Sequence, residues 1–354
     1  MLKLTIFCAL LCLSAAFILK KANIPRTRGP RSLPGKTSNG IYKHPLEDLD
    51  TVAVAVYIGQ PTHLIGNAYV DTAMSDVQVN LCPNANPTVA EEPCYNSYKS
   101  QTFIRISPNQ AMDVFKGDNL DDKYMVNVTF TTHCDIESRF GFAWPELRQY
   151  PDDTFYPYVY LGQKGVSNRW VMAIAKDGCS AQIDWGDECT SDKYPTNYVP
   201  ATSNKYWEFK LNGFTFGNID QTFDSHAVIA STRSYIGMPK KYIEMMMQAH
   251  NITWDDEFGA YTTWCYGRMP DFKLKLQGTE ISISSDQYLY TWLPLINGMC
   301  VVNFEDSAAN GFGPEWYFGI PLLTAYCTTF DFDNYRIGFM YNDWYAGISS
   351  CHSQ

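Results

Sequence analysis

The chain has 354 residues, is 45% hydrophobic and 15% aromatic, and carries a formal net charge of −10. That length and apolar content suffice for one large or two medium lobes with real cores, and so acidic a chain is a poor match for nucleic acid. The charge is uneven: residues 17–44 contain Lys20, Lys21, Arg26, Arg28, Arg31, Lys36 and Lys43 and no acid, while residues 45–354 hold 19 Lys and Arg against all 37 acids, a net of −18.

Residues 1–16 read as a secretory signal: Lys3, the apolar run Leu4–Leu13, then Ser14, Ala15 and Ala16 as a small-residue cleavage site. The run is too short for a membrane span, which needs about 20 apolar residues, and Lys20 and Lys21 interrupt it. Residues 17–48 form a short basic arm rich in Pro and Gly, expected either to dock on the acidic body or to trail from it. The expectation is therefore a secreted, extracellular chain with no membrane span.

From Val52 onward the text is short alternating runs bounded by Gly, Pro, Asn and Asp, the pattern of an all-β fold. Val70-Asp71-Thr72-Ala73-Met74-Ser75 follows a strand-like run and precedes the alternating Val77-Gln78-Val79. An Asp-Thr pair on such a turn fixes a carboxylate and a hydroxyl at one point, although Asp in a turn commonly bonds only its own backbone. A second stretch, Ala227-Val228-Ile229-Ala230-Ser231-Thr232-Arg233-Ser234-Tyr235-Ile236, has the same plan. After it, Pro239 to His250 reads as a helix, with Pro at its start and Ile243, Met246, Met247 and His250 along one face, a stripe expected in the core.

Once the signal is removed nine cysteines remain: Cys82, Cys94, Cys134, Cys179, Cys189, Cys265, Cys300, Cys327 and Cys351. In an exported chain these point to disulfides rather than to metal ligands. Cys179 and Cys189 are candidates to close a hairpin, and Cys134, Cys327 and Cys351 are left open. Asn127-Val-Thr129 and Asn251-Ile-Thr253 are glycosylation sequons. Competing motifs fail. Gly35-Lys36-Thr37 ends like a phosphate loop, but its upstream glycine, Gly29, is one position too far away. No G-x-S-x-G elbow occurs. The six histidines lie singly, with no H-E-x-x-H spacing. No metal and no cofactor is expected.

Val70-Asp71-Thr72 followed by a small residue resembles the Asp-Thr-Gly loop of the pepsin-like aspartic proteases, which occurs once per lobe and is followed later by two apolar residues and a Gly. Phe140-Gly141 and Phe318-Gly319 are similar to those followers, 70 and 89 residues beyond Asp71 and Ala230. Val56–Pro61, Tyr206–Leu211, Pro270–Leu274 and Tyr335–Phe339 resemble the family's entry, inter-lobe, late and closing strands. The resemblance covers roughly residues 50 to 345. It implies a bilobal double β-barrel, with residues 49–204 as N-terminal lobe, 205–354 as C-terminal lobe and a cleft between. It implies also that Val52–Ile58, Tyr206–Leu211 and Tyr335–Phe339 share one bridging sheet. It pairs Cys82 with Cys94 and Cys265 with Cys300, and it favours docking of the basic arm, as in a zymogen.

The site departs from the family's pattern. Aligned on Pro239, the second catalytic Asp is Ala230, which leaves Asp71 alone as a first-motif acid. Ala73 and Thr232 stand where the family has Gly to let N–H groups approach the carboxylates. Met74 replaces a hydroxyl residue, and Pro108 replaces the tyrosine of the flap hairpin. Arg233, either near Asp71 and holding it ionised or turned to solvent, replaces Thr or Ser. Thr72 and Ser231, the hydroxyls that tie the two loops, are present. The reading is of a monomeric pepsin-like homologue without proteolytic competence, holding a peptide or protein ligand in the inter-lobe cleft. The alternative is a residual acid peptidase using Asp71 with another carboxylate, Asp224 being nearest in sequence.

Overall fold

The computed structural model describes residues 35–36, 41–43, 52–61, 63–82, 94–117, 126–133, 138–149, 167–176, 181–256, 260–290, 298–307 and 315–344. The expected signal, much of the basic arm, and Cys134, Cys179 and Cys351 lie outside these residues. The all-β architecture is as expected. A nine-stranded sheet is built from strands between Gly35 and Gly141, and a seven-stranded and a four-stranded sheet come from residues 208–318. A five-stranded sheet takes its strands from residues 169–200 and 326–341. Within the arm, Ile41–Lys43 pairs antiparallel with Val52–Ile58.

The expected bridging sheet is corrected. Val52–Ile58 lies in the nine-stranded sheet, Glu208–Phe216 in the seven-stranded sheet and Arg336–Tyr341 in the five-stranded sheet. Local hairpins decide the partners, because neighbours in sequence close the shortest loops. Val52–Ile58 pairs with His63–Asp71, and Arg336–Tyr341 with Tyr326–Asp331 across a turn. In that turn Tyr335 adopts positive φ, and Asp331 accepts from Asn334 N–H and Arg336 Nε at 3.1 and 2.7 Å. The strands that bridge the two halves are therefore Ala181–Trp185, Arg169–Ile174, Tyr326–Asp331, Arg336–Tyr341 and Thr196–Pro200, in that order.

Aromatic packing joins this sheet to the lobes. Trp144, Trp170, Trp207 and Trp316 are fully buried. Trp170 stacks on Phe330 at 4.1 Å between ring centroids, and Trp144 meets Trp207 at 4.7 Å. Trp207 Nε1 donates to the Phe142 carbonyl at 2.7 Å, linking the two halves of the chain beneath the Asp71 loop. Each such ring removes about 150–250 Å² from water, so this block contributes heavily to core stability.

The expected helix is present as Lys240–His250, with Pro239 at its N-cap and Asn251 closing it in the left-handed conformation. Its buried residues are Tyr242, Ile243 and Met246, with Met247 packed against the core and His250 edge-on to Phe216 at 5.0 Å. The methionine stripe is core. Cys82–Cys94 and Cys265–Cys300 are disulfides. The Cys179–Cys189 pairing is corrected: Cys189 bonds Cys327 on the Tyr326–Asp331 strand. Cys189 is buried there, and its N–H donates to the Thr329 hydroxyl at 2.9 Å, so it faces the sheet and not a hairpin partner. Both sequon asparagines, Asn127 and Asn251, are exposed.

Candidate functional site

Two copies of one backbone device carry the site. In the first, Arg139–Gly141 runs parallel to the end of His63–Asp71 and antiparallel to Val77–Asn80, with Asp71 opposite Gly141. In the second, Trp316–Phe318 runs parallel to the end of Ile219–Ile229 and antiparallel to Ile236–Met238. The hydrogen bonds repeat as well: Gly141 N–H donates to the Asp76 carbonyl at 3.0 Å, and Gly319 N–H to the Tyr235 carbonyl at 3.1 Å. Asp76 stands five residues after Asp71, and Tyr235 five after Ala230. Ala230 therefore holds the position equivalent to Asp71.

Glycine is required at both followers by close approach. A Cβ on Gly141 would come within 2.4 Å of the Ser75 carbonyl carbon, and one on Gly319 within 1.9 Å of the Arg233 carbonyl oxygen. Neither backbone atom can yield, which is why Phe140 and Phe318 are each followed by Gly.

Four hydrogen bonds tie the loops together. The Thr72 hydroxyl donates to the Ile229 carbonyl at 2.8 Å and accepts from Ser231 N–H at 2.9 Å. The Ser231 hydroxyl donates to the Val70 carbonyl at 2.6 Å and accepts from Thr72 N–H at 3.0 Å. All four are buried, where each hydrogen bond is strongest and an unmade one costs most. They set Asp71 and Ala230 side by side on the floor of the cleft.

The surroundings of Asp71 differ from expectation at several positions. Ala73 does not block the backbone approach: its N–H donates to Asp71 Oδ1 at 2.8 Å. Thr232 lies close enough to the Asp71 carboxyl for its hydroxyl to lower the pKa slightly, so this side chain favours the charged form where only crowding was expected. Met74 offers Asp71 nothing, and its carbonyl accepts from Ala143 N–H at 2.8 Å. Arg139, which the sequence alone does not single out, brings Nη1 to 3.7 Å from Asp71 Oδ2. Its signal is its place as the first residue of Arg139-Phe140-Gly141, a cation where the resemblance calls for an apolar residue.

Arg233 neither turns to solvent nor pairs directly with Asp71. Its Nη1 donates to the Tyr235 hydroxyl at 2.8 Å and to Glu305 at 3.3 Å, and its guanidinium lies 5.1 Å from the Tyr317 ring centre. The carboxyl of Asp71, 5% exposed, has its pKa raised rather than lowered. Burial is the largest influence. The Ala73 N–H, the charges of Arg139 and Arg233 and the Thr232 hydroxyl pull it down without overcoming that burial.

Asp224 is not a second carboxylate for this site. It is exposed and pairs with Lys210 at 3.1 Å. Six residues of extended strand from Ala230 place it roughly 20 Å away. Pro108 sits in the turn between Ile104–Ser107 and Gln110–Gly117. Its carbonyl accepts from Arg105 Nη1 at 3.0 Å and from the Thr132 hydroxyl at 3.4 Å, which fastens the hairpin tip to the Val126–His133 strand.

Residues 165–341, half of the chain, match the family model described as eukaryotic aspartyl protease. The chain belongs to that family. Among curated relatives, Aspartic protease 17 of Caenorhabditis elegans is 28% identical over 213 residues, covering 58% of this chain and 54% of the relative. Aspartic protease 10 of the same organism is 28% identical over 214 residues, 56% and 47% of the two chains. Gastricsin of Mus musculus is 25% identical over 188 residues, 51% and 44%. The chain spans about half the length of the curated relatives it matches. The matched family span includes the Ala230 loop and begins after the Asp71 loop, so the pseudo-symmetric geometry above is what assigns Asp71 its place.

The raised pKa of Asp71 has a consequence for stability. Its folded pKa lies above the unfolded value of 3.8, so its stabilising contribution is complete below that value and is lost as pH rises through the folded pKa. Asp71→Asn keeps an acceptor for the Ala73 N–H and removes the buried charge. Thermal melts should show a rise on the order of 2 °C at pH 7, the effect of about 1 kcal/mol or less in a chain of this size. No rise is expected near pH 3, where the native carboxyl is already neutral in both states. A lower midpoint at pH 7 would show that the Arg139 pair outweighs the burial.

Proposed function

We propose that this protein is an exported member of the family that binds a peptide or protein segment in the inter-lobe cleft without hydrolysing it. The observation that carries the reading is the exchange at the cleft floor. Ala230, 1% exposed, faces Asp71, whose charged neighbours are the guanidiniums of Arg139 and Arg233. Hydrolysis in the family's manner needs two carboxylates sharing one proton and one water, so that one acts as base while the other acts as acid. The Ala230 methyl group can take neither role, and the two cations offset only part of the burial that raises the Asp71 pKa. Losing one acid–base partner removes a factor of about 10² to 10⁴. The loop ties through Thr72 and Ser231 are kept, which preserves the cleft while its chemistry changes. Export is supported by the leader-like residues 1–16 and by three disulfides. The absence of any helix long and apolar enough to cross a membrane among the described residues is compatible with it.

A second reading, a residual acid peptidase, has one observation in its favour: burial raises the Asp71 pKa, toward the protonated state a general acid needs. The two readings separate in one assay. Pure protein incubated with denatured globin between about pH 3 and pH 6 should give no more cleavage than Asp71→Asn, and pepstatin should show no affinity near the nanomolar range, about −12 kcal/mol. Cleavage that rises toward acid pH and disappears in Asp71→Asn would establish the peptidase reading instead.

A further inference from the structure

We infer that the floor of the cleft is a carboxylate-binding site, in which the guanidiniums of Arg139 and Arg233 receive a carboxylate of the bound peptide. This rests on the peptide-binding reading above and names the chemical class of its ligand.

Arg139 projects from the strand that threads beside Tyr69 and Asp71, and its side chain is 41% exposed. Its nearest anion, Asp71 Oδ2, stands at 3.7 Å, too far for a hydrogen bond. Its Nε is buried with no acceptor. An arginine has five N–H donors in a planar fork, and with Nε buried it is the exposed remainder of the fork that can meet an incoming carboxylate. Arg233 is held differently but to the same end. Tyr235 and Glu305 engage Nη1 alone, while the rings of Tyr317 and Tyr235 support the plane at 5.1 and 5.7 Å. Among the described residues its Nε and Nη2 have no acceptor. A guanidinium positioned on aromatic faces with part of its fork open matches the two oxygens of a carboxylate.

The opposing charges are accounted for. Glu305 is committed to Arg233, and Asp71 turns Oδ1 to the Ala73 N–H and is nearly enclosed. Asp71 thus competes with an incoming carboxylate for Arg139 without satisfying it. The carboxylate can be the C-terminal group of a peptide or an acidic side chain within one, and the chemistry is shared.

The test uses N-acetylated octapeptide libraries drawn from Ala, Val, Leu and Phe, titrated calorimetrically into the full protein at pH 7 and low salt. One library ends in a free carboxylate, one is C-terminally amidated, and one is amidated with a single internal Glu. An acid-bearing library should bind about 10- to 100-fold tighter than the neutral one, the range expected of charge-assisted hydrogen bonds. Which of the two acid-bearing libraries binds tells terminal from side-chain recognition. Arg139→Gln and Arg233→Gln should each erase most of that preference. Asp71→Asn should enlarge it, a gain that damage to the fold cannot imitate. If the neutral library binds as tightly as the acidic ones, or Asp71→Asn leaves the preference unchanged or smaller, the carboxylate site is wrong while peptide binding stands. If no library binds, both fall.

Discussion

Asp113→Ala should cost roughly 3–5 kcal/mol of folding stability, which would place it among the most damaging substitutions available outside the aromatic core. Asp113 lies on the Gln110–Gly117 strand, 1% exposed, and is caged by donors. The Tyr95 hydroxyl donates to Oδ2. Oδ1 accepts from the Thr102 hydroxyl at 2.5 Å, the Ser100 hydroxyl at 3.3 Å and the Val114 N–H at 2.7 Å. Alanine deletes the acceptor and leaves these groups facing one another in a buried space. An unsatisfied buried donor costs about 1–3 kcal/mol, and not every donor will be stranded, since the hydroxyls can turn. Burial and the neighbouring carboxylate push the Tyr95 hydroxyl far above its ordinary pKa, so it remains a donor at every accessible pH. The cage anchors the segment that follows Cys94 to the root of the hairpin whose tip holds Pro108. Asp113→Asn, which keeps one acceptor oxygen, should lose less than half as much. Urea denaturation of the three proteins would check this. A midpoint for Asp113→Ala within error of wild type would mean that the cage is dispensable.

The fold and the site were legible in the sequence to different depths. The paired loops could be read because a turn motif recurs with its glycine follower: Gly141 and Gly319 are forced by backbone atoms within 2.4 and 1.9 Å. The helix after Pro239 could be read because its apolar stripe has a helical period. Sheet partners could not, since alternation says that Arg336–Tyr341 is a strand and nothing about which edge it joins; the tight turn at Asp331–Arg336 decided that. Cys189 looked like half of a hairpin because Cys179 is near in sequence, whereas the strand that carries Cys327 is near in space. Arg233 was visible as a substitution, but its partners Glu305 and Tyr317 lie 72 and 84 residues away and no local pattern names them. Arg139 stands within its motif, yet a lone cation at the start of a short strand has the look of an ordinary surface residue. Only the parallel pairing with the strand that ends at Asp71 brings it to the carboxyl.

That added base shapes the expected result of repair. Ala230→Asp alone should fail to produce pepstatin-sensitive proteolysis. The loops are already tied by Thr72 and Ser231, so a new carboxylate at 230 would stand beside Asp71, as a dyad requires. A dyad also needs one shared proton, and two close acids hold it only where nothing else stabilises both charges. Here Arg139 acts on Asp71 from 3.7 Å and Arg233 acts on it from the second loop. The new acid would find the same two cations, which pull both carboxyls toward the charged form and so oppose the sharing of one proton. Thr232 would still stand beside the new acid where the family's pattern has Gly. Met74 would still supply no hydroxyl, and the Pro108 turn would remain fastened to Thr132. A combined set adding Arg139→Leu, Met74→Ser, Thr232→Gly and Arg233→Thr removes all of these obstacles except the Pro108 turn. It should raise acid proteolysis by about 10² to 10⁴-fold over the single change, the usual worth of a restored acid–base partner. Measuring initial rates on a quenched fluorescent peptide, with and without pepstatin, separates the cases. If Ala230→Asp by itself already cleaves, the arginines are bystanders to the chemistry, and the charge exchange at the cleft floor loses its claim to mark a binding site.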